Sequence, residues 1–204
     1  MQSRDATVLL IDDDADVRDA VGRLLRSAGW RTESFASAQD FLEQPPYEGI
    51  GCLLLDVSMP GMSGPDLHLW MREHGCSLPV IYLSARCDVA ISVQAMKRGA
   101  LDVLEKPADA DVLLQAIADA VQKHRLDTTR RRGNDEINRH LVSLSRRERE
   151  VMSHVVAGRL NKQIAAELGI ALKTVKVHRG RMMEKMRVRS VAELVHLCDQ
   201  VGPQ

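Results

Sequence analysis

The stretch Cys52-Leu53-Leu54-Leu55-Asp56-Val57-Ser58-Met59-Pro60-Gly61 decides how the chain is read. A short apolar run enters a single carboxylate, and a Pro-Gly break follows almost at once. A run of this length closed by turn residues predicts a fully buried strand. Asp56 then stands at the strand's carboxyl end, where open α/β sheets place their ligand sites. The same residues also suit an ordinary strand-end Asp that opens a turn, so its partners elsewhere must decide.

Upstream, Val8-Leu9-Leu10-Ile11 is a second apolar run and ends in Asp12-Asp13-Asp14. Asp14 or the next residue can cap a helix whose apolar set is Val17, Ala20, Val21, Leu24 and Leu25, stopped by Gly29. Residues 31–35 form a polar, edge-like strand. Ser37 caps a short helix that ends before Pro45-Pro46. Downstream come a helix from about Gly64 to His74, a strand at 79–83 leading to Ser84, and a helix at 89–98 stopped by Gly99. A strand at 101–105 then ends at Lys106-Pro107, and Asp109 caps a helix carrying Val112, Leu113, Ala116, Ile117, Ala120 and Val121. Strands alternating with helices in this way predict right-handed βαβ units and a doubly wound α/β fold with a five-stranded parallel sheet.

In a parallel sheet all the strand ends lie at one edge. Asp12-Asp13, Asp56, Ser84 and Lys106 therefore converge on one pocket. Carboxylates packed together repel unless a cation joins them, and hard oxygen ligands of this kind suit Mg²⁺. A lone acid pair is commonly a helix cap. The acid pair, the buried-strand Asp, the Ser and the Lys-Pro in this order are far more specific.

Composition sets limits around that pocket. A hydrophobic fraction of 45% supports real cores, and an aromatic fraction of 3% makes them aliphatic. No apolar run approaches the roughly 18 residues of a membrane span, and no secretory-signal pattern opens the sequence. Cys52, Cys76, Cys87 and Cys198 are scattered without CxxC spacing and read as reduced thiols of a cytoplasmic protein. The net charge of zero conceals an asymmetry: residues 144–204 carry twelve Lys/Arg against six Asp/Glu, and residues 1–143 carry sixteen against twenty-two. Two domains with different partners account for this, the basic one suggesting nucleic acid. Opposite charges also predict that the two rest weakly against each other, masking the basic surface.

Between them, residues 126–142 read as a linker that is partly helical. Gly133-Asn134 gives a turn signal, and Ile137, Leu141, Val142 and Leu144 suggest a short second helix. Arg130-Arg131-Arg132 reads as a solvated face. Residues 143–204 read as a smaller, all-helical domain. Ser145 caps its first helix, with Glu148 at capping-box spacing. Asn161 is expected to cap the second, which Gly169 ends. The third starts near Leu172 with Val175, Met182 and Met186 inward and Lys173, Lys176, Val177, Gly180 and Arg181 outward. A fourth starts at Ser190. Two short helices about a Gly-containing turn predict a helix-turn-helix, whose second helix enters a major groove. His178 reads as a partly buried helix residue.

Ile11-Asp12-Asp13-Asp14, Leu55 through Gly64, Leu83-Ser84-Ala85 and Glu105-Lys106-Pro107 together resemble the receiver domain of two-component response regulators, over about residues 1–125. Ser145 through Val151, Gly158, Asn161 through Ala165, and Lys173 through Met186 resemble the LuxR-type DNA-binding domain, over about 143–200. Joined, they resemble a response regulator of the FixJ/NarL type. The resemblance implies a flavodoxin-like sheet of order 2-1-3-4-5. It implies Asp56 as phosphoacceptor, Asp13, Asp56 and the Ser58 carbonyl as direct Mg²⁺ ligands, and Asp12 as a ligand through water. Ser84 and Lys106 would contact the phosphoryl group, and the Lys106-Pro107 bond would be cis. It places Lys176, Val177 and position 180 on base edges; Gly180 has no side chain, so Arg181 or Arg179 is expected to substitute there and the helix to sit close to the bases, with Lys173 and Thr174 also at the DNA and Ala171 a weak cap in place of the usual Ser or Thr. The implied partners are a sensor histidine kinase, promoter DNA, RNA polymerase and a second copy of the chain when phosphorylated.

One position departs from the pattern. Val103 stands three residues before Lys106, where the family usually has Phe or Tyr, so switching is expected to run through Ser84 and the loop at 84–88. Arg86 in that loop reads as exposed and solvated. Three other functions compete. A phosphatase built on Asp56 would want an acid two residues on, where Ser58 stands. No nucleotide-binding glycine motif occurs. A ligand-sensing regulator would need an apolar pocket where the acids lie. A receiver working without phosphorylation remains the alternative.

Overall fold

The computed structural model describes residues 5–86 and 89–201. Residues 87 and 88 of the expected switching loop, Cys87 among them, lie outside the described residues. The elements are β1 (Ala6–Ile11), α1 (Ala15–Ser27), β2 (Arg31–Phe35), α2 (Ala38–Leu42), β3 (Ile50–Asp56), α3 (Gly64–Glu73) and β4 (Val80–Ser84). They continue with α4 (Val89–Lys97), β5 (Asp102–Glu105), α5 (Ala110–Ser143), α6 (Arg146–Val156), α7 (Asn161–Leu168), α8 (Leu172–Lys185) and α9 (Val191–Val201). The backbone separates into a unit over Met1–Asp127 and a unit over Thr128–Gln204.

The first unit is a five-stranded, all-parallel sheet of order β2-β1-β3-β4-β5. The near-continuous apolar runs of β1, β3 and β4 have one cause: helices cover both sheet faces, so inward and outward positions are alike dry. Alternate residues divide between two cores. Val8, Leu10, Cys52, Leu54, Ile81 and Leu83 pack with Leu25, Leu113, Ile117 and Val121. Leu9, Ile11, Leu53, Leu55, Val80 and Tyr82 pack with Leu67, Met71 and Ala95 on the other face. β2 lies at the edge, which explains its mostly exposed, polar residues.

The helix starts follow from side-chain caps. Asp14 Oδ1 accepts from the amides of Asp16 and Val17, and Ser37 and Ser63 accept from Asp40 and Asp66. Asp109 Oδ1 accepts from Asp111 and Val112 in the first turn of α5. Gly64 is required by a close approach: a Cβ there would lie closer to the Asp56 carbonyl oxygen than the 3.0 Å real Cβ atoms keep.

The linker differs from the sequence expectation. α5 runs without interruption over Ala110–Ser143, so Gly133-Asn134 makes no turn and there is no separate second linker helix. Glycine costs a helix only about 1 kcal/mol, and i,i+4 pairs such as Lys123–Asp127 and Glu136–His140 lie along the same helix.

In the second unit, Leu144, Val151, Val155, Ile164, Val175, Met182, Met186 and Leu194 form the core. The expected capping box is present: Ser145 Oγ accepts from the Glu148 amide, and Glu148 Oε2 accepts from the Ser145 amide at 2.8 Å. The cap of α7 is a correction. The N-cap residue is Leu160, and its amide donates to Gln163 Oε1 at 2.8 Å. Asn161 is already helical, and its Oδ1 accepts from Arg179 Nη1 of α8 at 2.7 Å, pinning the two helices. Gly169, with φ of 64°, turns the chain from α7 into α8. α8 starts at Ala171 with no side-chain cap, as expected.

Candidate acidic centre and nucleic-acid interface

The acidic centre is assembled by four strand ends. β1 delivers Asp12 and Asp13, β3 delivers Asp56, β4 ends at Ser84, and the turn after β5 delivers Lys106. Asp12 and Asp56 are buried and Asp13 is exposed. Their carboxylate oxygens lie within 4.8 Å of one another.

The two oxygens of each buried carboxylate have different partners. Asp12 Oδ1 accepts from the Asp14 amide at 3.1 Å, and Asp56 Oδ2 accepts from the Ser58 amide at 3.1 Å. Lys106 Nζ sits between the two acids, 2.6 Å from Asp12 Oδ2 and 2.7 Å from Asp56 Oδ1. Lys106 is aimed by its own backbone, whose amide donates to the Ser84 carbonyl at 2.8 Å, and the Lys106-Pro107 bond is cis. Arg18 Nη1 donates to the Asp12 carbonyl at 2.7 Å, a contact no sequence signal marked.

The electrostatics follow from this packing. Burial raises the Asp56 pKa above its ordinary value, and the hydrogen bond and charge of Lys106 pull only partly against it. Burial also opposes the charge on Lys106, but the bonds to Asp12 and Asp56 prevail and its pKa is raised. Asp12 Oδ2 is sealed from solvent and has no hydrogen-bond partner beyond the ion contact with Lys106. Three carboxylates whose oxygens converge this closely, with the charge of one Lys106 offsetting only part of theirs, fit a hard divalent ion.

Ser84 is close in the fold, yet its hydroxyl faces elsewhere. Oγ donates to the Arg86 carbonyl at 2.6 Å and accepts from the Arg86 amide at 3.3 Å. Ser58 and Arg86 are exposed.

The second unit presents a different surface. Lys173, Lys176, Val177, Gly180 and Arg181 are exposed on α8, opposite buried Val175 and Met182. Val177 is 44% exposed, an apolar residue left in water beside cations. Thr174 and Arg179 are half-buried, and Arg179 is engaged with Asn161. His178 is half-buried as expected, with its Nδ1 sealed and unpartnered. Sequence reasoning missed the support behind this surface. Lys185 Nζ lies 2.6 Å from Glu148 Oε2 and donates to the Ser143 carbonyl at 3.1 Å, joining the end of α8 to the start of α6. The capping-box spacing marked Glu148, but nothing local marked a partner 37 positions away.

A parallel sheet with this acidic edge and a helix-turn-helix unit define a transcriptional regulator of the response-regulator class. A model described as the response regulator receiver domain matches residues 8–118, and one described as bacterial regulatory proteins, luxR family, matches residues 142–198. The chain belongs to the response regulators and pairs a receiver domain with a LuxR-type DNA-binding domain. It is 39% identical over 201 residues to the response regulator protein TodT of Pseudomonas putida, covering 98% of this chain and 88% of that one. It superposes on the response regulator StyR with a TM-score of 0.87 and 42% identity, over 96% of this chain and 99% of that one. On full-length FixJ from B. japonicum the TM-score is 0.60 with 37% identity, over 98% of each chain. No helix among the described residues is long and apolar enough to cross a membrane.

Proposed function

We propose that Asp56 accepts a phosphoryl group from the phosphohistidine of a sensor kinase and that phosphorylation controls promoter binding by α8. The observation that carries this is Lys106 Nζ, placed 2.6 and 2.7 Å from two buried carboxylates at the sheet edge. A carboxylate oxygen of Asp56 attacks phosphorus, the P–N bond breaks, and its electron pair stays on the imidazole. Asp56 is the nucleophile in its ionised form, so no general base is needed. The Ser58 amide and Lys106 orient the carboxylate, and Lys106 offsets charge on the transferring group. Asp12, Asp13, Asp56 and the Ser58 carbonyl would hold Mg²⁺, which supplies the remaining charge neutralisation. Ser84 turns from Arg86 toward the phosphoryl oxygens.

The domain boundaries that go with this reading are 1–125 for the receiver, 126–142 for the linker and 143–204 for the DNA-binding domain. In the latter, Lys176 and Val177 read base edges, and Lys173, Thr174 and Arg181 grip phosphates. Arg179 steadies α8 through Asn161. Two phosphorylated copies occupy two half-sites about one helical turn apart and engage RNA polymerase, in the cytoplasm.

Acetyl phosphate with Mg²⁺ tests the centre. One phosphoryl group should be added, and Asp56→Asn should abolish it. Equal labelling of that variant removes Asp56 from the role. If wild type takes no phosphoryl group and still binds its promoter, the regulator works without phosphorylation.

A further inference from the structure

A second polar cleft lies in the first unit away from the acidic centre. It has a volume of about 340 Å³ and is lined by His68 and Arg72 of α3, residues 76–79 after α3, residues 99–101 between α4 and β5, and Lys123, His124 and Asp127 of α5. We propose that this cleft binds a small oxyanion, a carboxylate or a phosphate, through the His68 imidazole N–H and the Arg72 guanidinium.

The tautomer of His68 carries the argument. His68 is buried, and its Nδ1 lies 3.0 Å from the hydroxyl of Tyr82, which is itself buried in β4. The Tyr82 hydroxyl keeps its proton, since burial pushes its pKa up to about 12. Among the described residues His68 Nδ1 is its only hydrogen-bond partner, so the buried O–H proton is paired only when the hydroxyl donates and Nδ1 accepts. Burial, then Arg72 and Arg98, lower the His68 pKa and keep the ring neutral. The single ring proton therefore sits on Nε2. That nitrogen has no partner among the described residues and is not sealed from solvent. A neutral imidazole at the cleft thus offers a donor and calls for an acceptor.

The neighbouring charges agree. Arg72 Nη1 donates to the Arg98 carbonyl at 2.7 Å, which holds the guanidinium across Gly99 at the cleft rim, and its remaining donors have no partner among the described residues. Among the described residues Asp127 is the only acid in the lining, and it lies 3.3 Å from Lys123 in an exposed i,i+4 pair. Such pairs are worth only a few tenths of a kcal/mol, so Lys123 is easily redirected to a bound anion. Leu78, Pro79 and Leu101 supply an apolar wall. The volume is at the small end of ligand sites and suits one acidic group with a few carbons.

The test uses the full-length protein without Mg²⁺. Inorganic phosphate and benzoate are titrated in parallel at constant ionic strength, and the His68 ring nitrogens are followed by long-range ¹H–¹⁵N NMR. Saturable movement of the Nε2–H resonance with either probe supports the site, and the better probe tells phosphate from carboxylate. Arg72→Ala should weaken binding at least tenfold. Lys123→Ala, which breaks only a surface pair, should weaken it a few-fold and guards against a folding defect in the first variant. Asp56→Asn should leave binding unchanged, separating this cleft from the acidic centre. No saturable shift, an equal shift with chloride, or full binding by both Arg72→Ala and Lys123→Ala overturns the proposal.

Discussion

Replacing Gly64 by alanine sets two effects of opposite sign against each other. Gly64 is the first residue of α3, and alanine favours a helix over glycine by up to about 1 kcal/mol. Against this, the new methyl would press on the carbonyl oxygen of Asp56, with Leu55 Cγ only 3.1 Å away as well. The obstacle is backbone, not a side chain that can turn aside. Either the first turn of α3 or the end of β3 must move by on the order of 1 Å, and overpacking of this kind costs about 1–3 kcal/mol. The clash wins, for a net loss on the order of 1 kcal/mol. In a unit of this size that lowers the midpoint by roughly 4–8 °C.

The readout can be confined to the right unit. Both tryptophans, Trp30 and Trp70, lie in the first unit, so their fluorescence during a thermal melt reports it alone. The second unit should melt unchanged by circular dichroism. A displacement of about 1 Å at Asp56 should also slow labelling by acetyl phosphate by roughly a hundredfold, because a nucleophile's position is worth that much. A Gly64→Ala protein that melts at or above the wild-type temperature and labels at the wild-type rate would refute the close-approach reasoning.

Four further outcomes can be measured. Lys106→Met removes the cation shared by Asp12 and Asp56, so Mg²⁺ should bind more tightly in calorimetry while phosphoryl labelling slows; a loss of both would indicate misfolding. Glu148, only 3% exposed, is held down to about 2 by Lys185 and then the Ser145 amide, against an ordinary 4.5. That depressed value stabilises the second unit fully above about pH 4.5 and is lost as pH falls toward 2, a dependence that melts of Glu148→Gln should lack along with about 1–3 kcal/mol of stability. Gly180→Ala places a methyl where nothing lies within 4 Å, so the second unit should gain up to about 1 kcal/mol while specific DNA binding falls, as fluorescence anisotropy would show. Lys176→Ala should cost about 1–3 kcal/mol on the specific site, whereas Arg181→Ala should weaken all sequences alike and lower the salt slope by about one unit; an unchanged specific-to-nonspecific ratio in Lys176→Ala would make Lys176 a phosphate contact.

The sheet and its acidic edge were legible because parallel topology makes position predictable. Once five strands alternate with helices, the residues ending them must meet at one edge, whatever their separation in sequence. Asp12, Asp56 and Lys106 needed no further information, and the ion contacts with Lys106 follow. What was not legible depended on distant side chains or on weak local signals. Asn161 has the composition of a cap, but Gln163 Oε1 had already satisfied the amide at Leu160, which freed Asn161 for Arg179. The turn signal at Gly133-Asn134 was too small to interrupt a helix continuous with the turns on either side of it.

Val103 shows the same limit from the other direction. As a departure from a motif it signals only an absence, an aromatic ring missing from β5. Strand register shows what stands beside it: Val103 pairs with Tyr82 on β4, and both side chains face the same core. The Tyr82 ring lies one strand inward and two residues before Ser84 on the same sheet face. Its hydroxyl is tied to His68 of α3, so it is held in the core and cannot swing outward as a free aromatic would. Burial of the ring and its hydrogen bond both oppose rotation. The Tyr82–His68 bond connects that strand to the cleft beside Arg72, so under the proposed phosphorylation a movement of Ser84 would pass along the backbone of β4 and not by rotation of this ring.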